Sequence, residues 1–214
     1  MRASTAALAL FSLLGLTTAT PTPVDLAPRC GQTILPYNLQ QLDEASPSTV
    51  YPNTISSNGN FHVEQTVGSN GNVYNRIYQI AAFANVPANS YACQLNVIFP
   101  DPTSLTETGN PTLNVTTLYL NSPSSITYPN NWSWSTFFPP TSPPLGQGLF
   151  GTINLEAGQT AAINSEVCPN GGGNLAFLFT IASWVSESSS VDFTQYVNGL
   201  NGAGLTGVYL TYDC

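Results

Sequence analysis

Residues 61–67 read Phe-His-Val-Glu-Gln-Thr-Val, with Phe61, Val63 and Val67 apolar against His62, Glu64 and Thr66, and Gln65 the one break. A period of two predicts a strand with one face buried. Gly68-Ser69-Asn70-Gly71-Asn72 follows as a turn composition, and residues 73–83 are rich in Tyr and Ile, so 61–83 is expected to form a β-hairpin. Residues 93–99 alternate again, Cys-Gln-Leu-Asn-Val-Ile-Phe, and stop at Pro100-Asp101-Pro102. Proline lacks the N–H that a ladder needs, so the strand ends there. Further strands are predicted at 113–120, 149–155, 160–163, 175–184, 191–197 and 208–212. Residues 175–181 are nearly all apolar, as a central strand covered on both faces requires, and Gly171-Gly172-Gly173 before them supplies a flexible turn.

Beyond the N-terminal segment no stretch carries a sustained apolar stripe of period 3.6; residues 39–45 and 193–200 are expected to form one or two helical turns. Many short strands punctuated by Gly, Pro, Asn and Ser predict an all-β chain, a β-sandwich of jelly-roll or Greek-key type with about nine strands. The hairpin at 61–83 and the last four predicted strands are expected to face each other. Residues 21–52 contain Pro, Thr and Asp with weak periodicity and read as an extended arm. The expected organisation is a signal peptide over 1–19, an arm over 20–50 and one sandwich domain over 51–214.

The signal peptide rests on Met1 and Arg2, a mostly apolar run over 6–16, and small residues up to Thr20, with cleavage expected near Ala19 or Thr20. That run is too short to span a bilayer, which takes about 20 residues, and the next most apolar stretch, 175–185, is interrupted by Thr180 and Ser183. Cleavage leaves about 195 residues, enough for one domain with a substantial core. Arg29, just before Cys30, reads as an ordinary loop arginine in preference to a processing site, because no dibasic signal accompanies it. The expected location is outside the cell or in the cell wall, with no membrane association after cleavage.

Charge narrows the partners. Only 7% of residues are charged, lysine is absent, and beyond the signal segment Arg29 and Arg76 are the only Lys/Arg side chains against 11 acids. Such a chain cannot neutralise a row of phosphates, which excludes nucleic acid, nor form a polybasic patch for anionic lipid. Without lysine it has no Schiff-base nucleophile. Four cysteines, Cys30, Cys93, Cys168 and Cys214, read as two disulfides. Three connectivities are open; the expectation taken is Cys30 with Cys214, clamping the ends, and Cys93 with Cys168. Their spacing fits no zinc motif and His62 is the only histidine, so no metal and no cofactor is expected. Asn114-Val115-Thr116 and Asn131-Trp132-Ser133 are acceptor sequons that predict surface glycosylation at Asn114 and Asn131.

The Cys-x-Leu-x-Val-x-Phe-Pro strand at 93–100, the Leu-Ala-Phe-Leu-Phe-Thr strand at 175–180 and the terminal Gly-Val-Tyr-Leu-Thr-Tyr at 207–212 resemble the fungal family named for the ubiquitin 3 binding protein C-terminal domain. The likeness runs over roughly residues 50–214. It implies a secreted β-sandwich and transfers no catalytic residue. A cleaved signal and sequons separate such a chain from cytosolic ubiquitin, so no ubiquitin contact is carried over.

A glycoside hydrolase needs two carboxylates facing each other about 5–9 Å apart, one with a raised pKa. The candidates are Glu64, Asp101, Glu107, Glu156, Glu166, Glu187 and Asp192. A serine hydrolase has only His62 as base and no Gly-x-Ser-x-Gly elbow. A secreted copper oxygenase needs an N-terminal histidine and a second one. Residues 128–140 concentrate Tyr128, Trp132, Trp134, Phe137 and Phe138 between prolines. In an extended chain Trp132 and Trp134 share a face and form a platform for the apolar faces of sugar rings, with Tyr128 beside it. The competing and slightly favoured reading is that these rings pin the loop onto the sandwich as a satellite core. Three functions stay open: a non-catalytic module binding cell-wall polysaccharide, which leads; a carbohydrate-active hydrolase using paired carboxylates; and a secreted protein with protein partners, host-facing or structural. Oligomeric state is not readable.

Overall fold

The computed structural model describes residues 31–118, 130–140, 147–196 and 204–214. The described strands are β1 (Gln32–Ile34), β2 (Asn38–Asp43), β3 (Asn60–Val67), β4 (Val73–Val86), β5 (Cys93–Ile98), β6 (Leu105–Thr108), β7 (Thr112–Leu118), β8 (Gln147–Asn154), β9 (Thr160–Glu166), β10 (Gly173–Ile181), β11 (Ser189–Thr194) and β12 (Gly207–Tyr212). One short helix, α1 (Trp134–Phe137), and a 3-10 turn over Thr54–Ser56 complete the described elements.

The strands form two antiparallel sheets, one ordered β1-β12-β5-β9 and a larger one ordered β6-β11-β3-β4-β10-β7-β8. β2 pairs β4 outside this path. Both β2 and β10 pair residues 79–82 of β4, which sets them on opposite edges of that strand. The core lies between the sheets, where Phe61, Val63, Phe83, Val115, Phe177, Phe179 and Phe193 of the larger meet Leu95, Val97, Val208 and Leu210 of the smaller. The fold is the predicted all-β sandwich.

The larger sheet also carries a second apolar cluster. β10 sends Phe177, Phe179 and Ile181 into the main core and Ala176 and Leu178 into this second one. Period-two alternation in a mostly apolar strand thus buries both faces. β12, buried along its whole length between β1 and β5, is an interior strand of the smaller sheet. The hairpin at 61–83 forms as expected from β3 and β4.

Three expectations are corrected. The arm is not separate from the sandwich: β1 pairs β12 and β2 pairs β4, so the domain begins before residue 51. Residues 39–45 form a strand, with no helical turn. Leu39 and Leu42, three apart, imitate a helical stripe, but on a strand they point to opposite faces and enter different clusters. The chain from 193 continues β11 to Thr194, and residues 197–200 lie outside the described residues. Finally, β10 and β11 do not face the hairpin; they pair edge to edge with β4 and β3, leaving only β9 and β12 of the last four in the opposed sheet.

Cys93 and Cys168 form a disulfide with Cα atoms 5.0 Å apart, as expected. Cys214 is not a free thiol, but Cys30, its expected partner, lies outside the described residues, as do Tyr128 and the segment read as a signal peptide. Among the described residues no helix is long and apolar enough to cross a membrane.

Candidate functional site

At one end of the sandwich the Pro100-Asp101-Pro102 turn throws the chain out from the buried Phe99 and returns it as β6 along β11. Asp101 organises this turn. Its Oδ1 accepts from the Thr103 N–H at 2.7 Å and the Thr103 hydroxyl at 2.8 Å, and its carbonyl accepts from the Ser104 N–H at 3.0 Å. On the other side β11 runs out at Thr194. There the buried Gln195 amide grips β12, its Nε2 donating to the Val208 carbonyl at 2.9 Å and its Oε1 accepting from the Val208 N–H at 2.8 Å. Between these walls lies an open cleft of about 680 Å³ lined by Asp101, Thr103, Ser104, Thr106, Asp192, Thr194 and Thr206, with Pro100, Pro102 and Phe193 as apolar surface.

Asp192 sits in register with Thr106 on one side and His62 on the other. Its Oδ2 lies 3.1 Å from His62 Nδ1, and His62 Nε2 lies 3.1 Å from Glu64 Oε2. A neutral imidazole donates through one nitrogen only, so the tautomer decides which carboxylate receives the proton-mediated bond. The result is a cleft carboxylate fixed from behind by a histidine. Asp101 is fixed differently: the Thr103 backbone N–H, then its hydroxyl, stabilise the charged carboxylate and lower its pKa. Each acid therefore has one oxygen held by the protein and one, Asp101 Oδ2 and Asp192 Oδ1, without a hydrogen-bond partner among the described residues.

The other candidate acids lie elsewhere. Glu107 is exposed on β6, Glu187 is exposed in the β10–β11 connection, and Glu156 is in the β8–β9 turn accepting from Asn154 Nδ2 at 3.1 Å. Glu166, at the end of β9, accepts from the Thr117 hydroxyl at 3.2 Å through Oε2, while its buried Oε1 has no partner. Burial raises its pKa and the Thr117 bond offsets only part of that. It borders a separate, smaller hollow of about 370 Å³ with Tyr91 and Val167, next to the disulfide. Among the described residues no group of three or more His, Cys, Asp or Glu is arranged to hold a metal ion.

The two indoles do not form an exposed platform. Trp132 and Trp134 are 6% and 7% exposed and pack in the second cluster with Leu42, Ile80, Leu178 and Phe137. The chain around them forms α1, whose first turn is closed by a capping box between Ser133 and Thr136, and Trp134 contacts Tyr78 and Phe138 with centroids 4.9 and 4.7 Å apart. The Arg76 guanidinium, bound to Glu44, lies 5.1 Å from the centroid of the Trp134 ring. An unpaired apolar sheet face explains the burial: β2, β4 and β10 would otherwise leave Leu42, Ile80 and Leu178 in water. Asn131 is exposed beside this lid, and Asn114 is half-buried on β7, its Oδ1 accepting from the Thr152 hydroxyl at 3.1 Å.

The exposed aromatics are others. Trp184, placed by the sequence at the end of a strand, lies past β10 in a turn closed by Val185 N–H to the Ala182 carbonyl, and is 61% exposed. The threonines of the cleft carried no signal in a chain so rich in threonine; only Asp101 and Asp192 among its lining residues did. No protein-family model and no curated protein matches this chain.

Proposed function

We propose that the chain is a secreted, disulfide-bonded glycoprotein module that binds cell-wall polysaccharide without cleaving it, and that the cleft between the Asp101 turn and the end of β11 receives the sugar. The observation that carries this reading is the lining of that cleft: hydroxyls of Thr103, Ser104, Thr106, Thr194 and Thr206 with two carboxylates, over apolar surface from two prolines and Phe193. A sugar presents the same alternation, a rim of hydroxyls around apolar C–H faces. Glycans on Asn114 and Asn131 belong to the same reading, as does the family resemblance, which adds secretion and no catalytic residue.

Acid–base chemistry supports binding over hydrolysis. Glycoside cleavage needs a protonated acid near neutrality beside an ionised partner. Asp101 is held toward its charged form, and Glu166, whose pKa is raised, lies on the edge of the other sheet. One observation favours the hydrolase as second reading: Asp101 and Asp192 line the same cleft.

Retention of the purified secreted protein on insoluble chitin, β-1,3-glucan and cellulose, with reducing-sugar release measured in the same tubes, tests both. Retention without release is expected, weakened by Asp192→Asn and Thr106→Val. Release that Asp101→Asn and Asp192→Asn abolish establishes the hydrolase instead. Neither retention nor release removes both readings and leaves a protein partner.

A further inference from the structure

We propose that the cleft selects an amino-bearing sugar polymer, glucosamine units carrying free amines, over neutral or N-acetylated ones. This rests on the polysaccharide-binding reading and names the substrate class of that site.

The inventory of unused hydrogen-bonding atoms leads there. Asp101 Oδ1 is committed to Thr103 and Asp192 Oδ2 to His62, which leaves Asp101 Oδ2 and Asp192 Oδ1 as two oriented acceptors in one cleft. Among the described residues the remaining polar side chains of the lining are hydroxyls, which accept as readily as they donate. Among the described residues no Lys or Arg lines it; the one such residue there, Arg76, is bound to Glu44 and packed on Trp134. A ligand for this cleft must supply donors and tolerates no negative charge. A neutral sugar meets the first demand through its hydroxyls. A protonated sugar amine meets it with three donors and a charge, against a chain of net charge −8.

The two carboxylates are also pre-oriented for such a group. The Asx-type turn at Asp101 and the His62 contact at Asp192 restrict each side chain before a ligand arrives, so little rotamer freedom is lost on binding. His62 acts here as a positioning residue, touching Asp192 and not the ligand.

The test titrates the intact secreted protein with soluble glucosamine oligomers, N-acetylglucosamine oligomers of equal length and β-1,3-glucan oligosaccharides by calorimetry, at mildly acidic pH where the amine holds its proton. Binding of the free-amine oligomer about tenfold tighter than the others is expected, the size of one charge-assisted hydrogen bond. Asp101→Asn and Asp192→Asn should each remove most of that preference, weakening binding of the free-amine oligomer far more than that of the neutral oligomers, with the melting temperature nearly unchanged. Added salt should erode the preference in the native protein. Equal or tighter binding of the neutral or acetylated oligomers overturns amine selection and leaves polysaccharide binding standing. A preference that survives both substitutions overturns the assignment to this cleft. An oligolysine of matching charge binding as tightly as the glucosamine oligomer shows a general polycation site and overturns the sugar assignment, whereas no binding of any oligosaccharide removes this inference and the reading beneath it together.

Discussion

Gln195 takes the place of a missing strand. Beyond Thr194 the ladder of β11 has ended, yet the Val208 N–H and carbonyl, deep in the fold, still need partners, and one side-chain amide serves both. Gly207 makes room for it: with φ at +95° it has no Cβ, and a Cβ there would collide with Gln195 Oε1. Gln195→Leu keeps the volume and removes both bonds, leaving two buried backbone groups unpaired at about 1–3 kcal/mol each. Urea unfolding should show a loss of ~2–4 kcal/mol; a loss below ~1 kcal/mol would mean that water reaches Val208. Glu166 predicts a pH effect of definite sign. Its folded pKa lies above the ordinary 4.5 because burial penalises the charge, so the stability it allows is complete below that value and falls as pH rises through the raised one. Glu166→Gln should therefore melt higher than the native protein at neutral pH and no higher below about pH 4. A gap in melting temperature that does not change with pH would rule this out.

At the scale of elements, the aromatic lid shows why a site that reads well in sequence fails in the fold. Trp132 and Trp134 bracket the start of α1 and cover the outer face of β2, β4 and β10, so their truncation exposes that face instead of deleting a ligand platform. Trp134→Ala should cost about 3 kcal/mol in unfolding free energy, yet leave polysaccharide retention unchanged under conditions where the variant stays folded. Loss of retention with stability intact would restore the indoles as the site. The elements that were legible, β3, β4, β5 and β7 to β12, are those where apolar residues recur between turn-forming Gly, Pro, Asn and Ser. β2 escaped because Asn38 and Gln40 are polar yet fully buried: Gln40 Nε2 donates to the Trp132 carbonyl at 3.1 Å and Asn38 Nδ2 to Gln40 Oε1 at 3.3 Å, while Asn38 Oδ1 has no partner among the described residues. β6 escaped because, past Leu105, an exposed edge of Thr-Glu-Thr carries no apolar period.

For the whole molecule, sandwich class and one disulfide followed from pattern and cysteine count, whereas the cleft did not, because its two carboxylates come from a turn and a strand far apart in sequence. Asp101 and Asp192 were each visible as acids; only the pairing of β6 with β11 puts them in one place. The disulfide acts on this same long-range architecture. Cys93 opens β5 and Cys168 follows β9, which among the described strands of its sheet pairs β5 alone, so the bond fixes the end of an edge strand. It also encloses the chain from β6 through β8, strands of the opposite sheet, within a loop spanning a sequence separation of 75 residues. Loop-closure entropy for a loop of that length amounts to about 4 kcal/mol removed from the unfolded chain. The double variant Cys93→Ala, Cys168→Ala should lose roughly that much in denaturant unfolding, and β9 should lose amide-exchange protection before β4 and β10, which have strands on both edges. Uniform loss of protection across both sheets would place the effect in the unfolded chain alone, and an unchanged midpoint would mean that the β5–β9 ladder already holds this edge without the bond.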